Sequence, residues 1–186
     1  MESEVNLERL TILLVEDSPF IRSLLTNCLK ILGVGTVVAV EDGGAAIDFI
    51  QLVHTNPMKA GVMNIDLVVC NWEMSPVNGK MLVRWIRRHK DSPDRFLPVV
   101  MITAYTERER VEEARDFGVH EMLAKPFTIK NLSEKLMSVI MSNRQFVHTK
   151  DYFGPDRRRQ DIFLDSEERR TLTDKSPEVE VIIHGE

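Results

Sequence analysis

Five polar residues of this chain stand where short apolar runs end. Glu16 and Asp17 follow Thr11-Ile12-Leu13-Leu14-Val15, and Asn71 follows Asp66-Leu67-Val68-Val69-Cys70. Thr103 follows Pro98-Val99-Val100-Met101-Ile102, and Lys125 follows His120-Glu121-Met122-Leu123-Ala124. In an open α/β sheet, binding sites lie outside the carboxyl ends of the strands, where strand order reverses. Parallel strands would therefore bring two acids, an amide, a hydroxyl and an ammonium to one rim. One polar strand end is commonplace, whereas five at consistent positions point to a built site.

The elements that must position these groups are legible from the apolar pattern. Five short runs rich in β-branched residues alternate with longer amphipathic segments, as in a parallel sheet covered by helices on both faces. The second run is Thr36-Val37-Val38-Ala39-Val40. Ser18-Pro19 opens the first helix, which carries Ile21, Leu24, Leu25, Cys28, Leu29 and Leu32 to one face before Gly33 stops it. A second helix after Gly43-Gly44 carries Ile47, Ile50 and Val53, and His54 to Asn64 reads as a surface loop. Met81, Leu82, Trp85 and Ile86 mark a third helix, a fourth runs from about Glu107 to Phe117, and the last spans about Ile129 to Met141. The expectation is a doubly wound α/β fold with a five-stranded sheet in the order 2-1-3-4-5 over residues 9–141.

Composition narrows the function classes. A net charge of −5 argues against wholesale nucleic-acid binding, and the acidic Met1-Glu2-Ser3-Glu4 lacks the basic-then-apolar order of a signal peptide. No apolar run reaches the roughly 18 residues of a membrane span, so the expected location is the cytoplasm. Cys28 and Cys70 lack CxxC or Cys/His spacing and read as small buried hydrophobes, not as a disulfide or zinc site.

Ile12-Leu13-Leu14-Val15-Glu16-Asp17-Ser18, Asn71-Trp72-Glu73-Met74 with Gly79, Thr103-Ala104 and Lys125-Pro126-Phe127 resemble the signature blocks of CheY-like two-component receiver domains, which have a flavodoxin-like fold. The resemblance implies phosphorelay signalling with a histidine kinase, a phosphotransfer protein or another signalling partner, and no enzyme activity. It implies that the acid pair holds Mg²⁺, with the Glu73 backbone as a further ligand. The third-strand residue would accept a phosphoryl group contacted by Thr103 and Lys125. Output would come from a face built from about Glu107 to Met141, with Arg110 and Lys135 among its charged contacts.

Asn71 departs from that pattern. An amide has neither the charge nor the nucleophilic oxygen needed to form an acyl phosphate, and loss of a carboxylate weakens a Mg²⁺ site. Lys125 would instead form a standing network with Glu16, Asp17 and Asn71. Ser75 stands where the family usually has proline. Met122 replaces the family's aromatic switch residue, and Tyr105, after Ala104, could supply an aromatic to the same region; Pro126 completes the switch and interaction set. The expected function is thus a phosphorylation-independent, single-domain receiver acting by protein contact. A conventional Mg²⁺-dependent regulator would need aspartate at position 71.

Residues 142–186 read as a charged, flexible tail with no DNA-binding domain. Within it, Tyr152-Phe153-Gly154-Pro155-Asp156-Arg157-Arg158-Arg159 joins aromatics to three guanidinium groups, which fork onto phosphates and stack on bases. A sensor binding a cyclic dinucleotide or other phosphorylated ligand through Arg157, Arg158 and Arg159 is one alternative, and docking of the tail on the receiver is another. Asp151, Asp156, Asp161 and Asp165 flank the cluster and cut its field.

Overall fold

The computed structural model describes residues 6–104, 116–142, 145–150, 152–156 and 179–182. Five strands form a parallel sheet in the order β2-β1-β3-β4-β5. They are β1 (Thr11–Val15), β2 (Thr36–Val40), β3 (Leu67–Asn71), β4 (Val99–Thr103) and β5 (Glu121–Ala124). Every residue of β1 and β4 is buried, as is β3 up to Asn71, because helices cover both faces of these central strands.

Alternation along the strands divides the core in two. Leu13, Val15, Val68, Cys70, Val99 and Met101 face one side, with Ala46 and Ile50 of α2 (Gly43–Thr55) and Leu82 and Ile86 of α4 (Gly79–Arg88). Ile12, Leu14, Val69, Val100 and Ile102 face the other, with Leu25 and Leu29 of α1 (Pro19–Ile31) and Leu132 and Leu136 of α5 (Ile129–Ile140). The Ser18 hydroxyl accepts the Ile21 N–H at the start of α1, and Thr128 and Asn131 close a reciprocal cap on α5. Among the described residues no helix is long and apolar enough to cross a membrane.

The region His54–Asn64, expected as a loop, instead contains the end of α2 and a one-turn helix, α3 (Pro57–Ala60), capped by Asn56 and ended by Gly61 at φ 75°. The helix expected from about Glu107 falls outside the described residues except at Asp116 and Phe117.

The tail needs a larger correction. Three of its segments, β6 (Phe146–His148), β7 (Phe153–Pro155) and β8 (Glu180–Ile182), pair as an antiparallel sheet with β6 in the centre. Phe146 and Phe153 are buried to 3% and 4% exposure, so these residues belong to the folded body. A charge-rich composition concealed two aromatics that find their apolar surface on the receiver itself.

Candidate functional site

The site lies at the carboxyl end of β1 and β3. Glu16, at the end of β1, is 1% exposed, while Asp17 beside it is exposed. The Ser18 N–H, ahead of α1, donates to Glu16 Oε1 and Asp17 Oδ1, each at 3.1 Å. Arg22, one turn into α1, reaches back so that Nη1 donates to the Glu16 and Asp17 carbonyls at 2.6 and 3.3 Å. The two acids are thus fixed through side chain and backbone alike.

Asn71 completes the arrangement from β3. Its Nδ2 donates to the Glu73 carbonyl at 2.8 Å and to Glu16 Oε1 and Asp17 Oδ1 at 3.3 Å each. On its other side, Lys125 Nζ donates to Asn71 Oδ1 at 3.4 Å and to Glu16 Oε2 at 2.9 Å. An ammonium offers only donors, so it must meet the amide oxygen, and three acceptors must then meet the amide nitrogen. Lys125 therefore sets which way the amide points.

Close packing holds Asn71 in register. A Cβ on Gly79 would collide with the Asn71 carbonyl oxygen, so the first residue of α4 must be glycine for the loop to close. Trp72, 7% exposed, anchors that loop by donating its N–H to the Ile102 carbonyl at 2.8 Å. The Cys70 thiol is pushed above its ordinary range by burial first and by Glu16 second, which leaves it inert as a nucleophile.

The remaining candidates are placed less centrally. Thr103 ends β4 at 3% exposure, and its carbonyl accepts the Lys125 N–H at 2.7 Å. Ala104 and Pro126 are exposed, and Met122 is half-buried against the core on the α2 and α4 side. Tyr105, Arg110, Arg157, Arg158 and Arg159 lie outside the described residues. Arg22 was not anticipated from sequence; the available signal was its place one turn beyond the acid pair on the helix they introduce.

A hard divalent cation would draw its ligands from Glu16, Asp17 and the Glu73 carbonyl. All three point an oxygen at Asn71 Nδ2, so an N–H donor stands at their focus. As arranged, this set does not fit a cation. Among the described residues there is also no group of three or more histidines, cysteines, aspartates or glutamates suited to a metal.

The sheet order and the rim at its carboxyl ends define a doubly wound α/β module, and the sequence profile of the response regulator receiver domain family matches residues 12–137. The chain belongs to that family. It is 35% identical over 136 residues to the chemotaxis protein CheY-3 of Vibrio cholerae, across 73% of this chain and 95% of that protein. Among solved structures it is similar to Vibrio cholerae CheY4, at 25% identity and a TM-score of 0.57, covering 70% of this chain and 98% of that one. It is also similar to the receiver domain of a Pseudomonas aeruginosa sensor histidine kinase solved with magnesium in its active-site cleft. That match has 26% identity and a TM-score of 0.57, covering 72% of this chain and 98% of the other.

Proposed function

We propose that this receiver works without phosphorylation at Asn71 and signals by protein contact from a rim held in one arrangement. The observation that carries the reading is the Asn71 amide, whose nitrogen takes three oxygen acceptors while its oxygen takes Lys125. With aspartate at this position, a third carboxylate would join Glu16 and Asp17, and their mutual repulsion would call for a cation. The amide supplies N–H donors at the same focus, so the two acids are satisfied without one. It also offers no carboxylate oxygen to attack phosphorus. Mg²⁺ binding is accordingly weak or absent.

The partner is a histidine kinase, a phosphotransfer protein or another signalling protein, engaged from the face around β5 and α5. Lys135 is an unsuitable contact on that face, because Nζ pairs with Glu121 Oε2 at 2.9 Å and Glu121 is 5% exposed. Ile129, 41% exposed, and Lys130 at the start of α5 are better placed for contact.

The test is incubation with acetyl phosphate and Mg²⁺ followed by intact mass measurement. The wild-type chain should stay unmodified, and Asn71→Asp should gain one phosphoryl group. A phosphoryl group mapped to the pocket of the wild-type protein would overturn the reading.

A further inference from the structure

At the opposite end of the sheet from Asn71, β6 and β7 sit on the turn that leads into β5. Phe146 and Phe153 pack against Phe96 at ring-centroid distances of 4.8 and 5.4 Å, and Phe146 lies 5.6 Å from the His120 ring. The Arg95 guanidinium lies 3.9 Å from the Phe153 ring centroid. Beneath them Arg87 is 1% exposed, donating Nε to the Gly118 carbonyl at 3.0 Å and Nη1 to the Arg95 carbonyl at 2.8 Å, with the Phe146 ring 5.6 Å away. Backbone meets backbone here as well. A Cβ on Gly154 would come within 2.6 Å of the Gly118 Cα, and one on Gly118 within 2.8 Å of the Phe153 carbonyl oxygen.

The turn under this contact is short and tightly connected. Gly118, at φ 83°, leads through Val119 to His120, whose N–H donates to the Val99 carbonyl while its Nδ1 accepts the Val99 N–H. One residue later Glu121 opens β5, and its carboxylate holds Lys135 and Ser138 of α5. Consecutive bonded groups thus connect Gly118 to β5 and to the helix beside it.

We propose that the β6–β8 sheet is a built-in strap whose seating on Gly118 and Phe96 holds the turn into β5, so that its release, not phosphorylation, loosens β5 and α5 and reshapes the face they present. As a substitute input the strap rests on the phosphorylation-independent reading; the mechanical coupling it describes is separate from that reading and can fail alone. The arrangement gives the chain two ends to its sheet with different tasks, a rim closed by Asn71 and a base gripped by its own C-terminal extension.

Gly154→Ala in the full-length protein is the sharpest probe, because the added methyl group meets both the Gly118 Cα and the Tyr152 ring and so pries β7 from the turn without removing any apolar group from the five-stranded core. Phe153→Leu, which keeps apolar bulk but loses the ring beside Arg95, is the second variant. Hydrogen–deuterium exchange read by mass spectrometry should rise about tenfold or more in both Phe146–His148 and Gly118–Ala124, while β1 and β3 keep wild-type protection. A rise confined to Phe146–Pro155 would make the strap a passive appendage and overturn the proposal. Unchanged exchange throughout, or a uniform loss of protection reaching β1 and β3, would overturn it too, the first by denying the contact and the second by showing a purely structural role. The acetyl phosphate labelling of the wild-type chain independently reports whether the reading of Asn71 has failed.

Discussion

Lys125 is the side chain on which the rim depends most. Its ammonium faces the carboxylate of the buried Glu16 side chain and fixes the amide of Asn71 from the same position. Replacing it by methionine leaves a buried carboxylate without its cation, and Lys125→Met should lower unfolding stability by about 3 kcal/mol in urea denaturation. Arg87 is the counterpart at the base of the sheet. Burial pushes its guanidinium down to about 10, which still leaves it charged at neutral pH and bonded to two carbonyls. Because the folded value lies below the unfolded one, stability bound to this group rises with pH only above about 10, and a urea series between pH 6 and 9 should show no contribution from it. Arg87→Met should cost about 2 kcal/mol through unmet carbonyls, and Arg87→Ala about 4 kcal/mol once the lost volume is added. The two residues differ in how readable they are. Lys125 announces itself by ending an apolar run beside a proline, whereas Arg87 looks like one more cation on the basic helix Gly79–Arg88. The Arg95 carbonyl, the return of Gly118 and His120, and the docking of Phe146 close over it, and most of that cover is not local in sequence.

At the scale of elements, the five strands of the main sheet and the helices α1, α2, α4 and α5 are written plainly in periodicity and caps. β1 and β2 have the limits that their apolar runs suggest, and β3, β4 and β5 each begin one residue later. That offset follows the hydrogen-bond register, because Asp66, Pro98 and His120 bond just ahead of the ladder instead of within it. The cap on α5 is a clean test of local contribution. Thr128→Ala removes the acceptor for the Asn131 N–H and one half of the reciprocal pair, and thermal melts should show a loss of about 1 kcal/mol. The strands β6 to β8 were not legible, since each has only three residues and their apolar members are scattered among acids and arginines. What seats β6 and β7 is the aromatic surface offered by Phe96 and His120, and β8 only pairs along β6, a tertiary cause that no local pattern carries.

Across the whole molecule, the site is a balance of charge around one amide. Glu16 and Asp17 contribute two negative charges, Lys125 and Arg22 one positive charge each, and Asn71 bridges the acids and the lysine without adding to either side. Aspartate at position 71 would add one more negative charge and remove the N–H donors, which turns a self-satisfied rim into one that needs a cation. Calorimetric titration of Mg²⁺ into the wild-type protein and into Asn71→Asp measures that difference directly. The account predicts saturable binding to Asn71→Asp and, for the wild type, either no saturable heat or an affinity at least about tenfold weaker. Mg²⁺ binding to the wild type as tightly as to Asn71→Asp would contradict it.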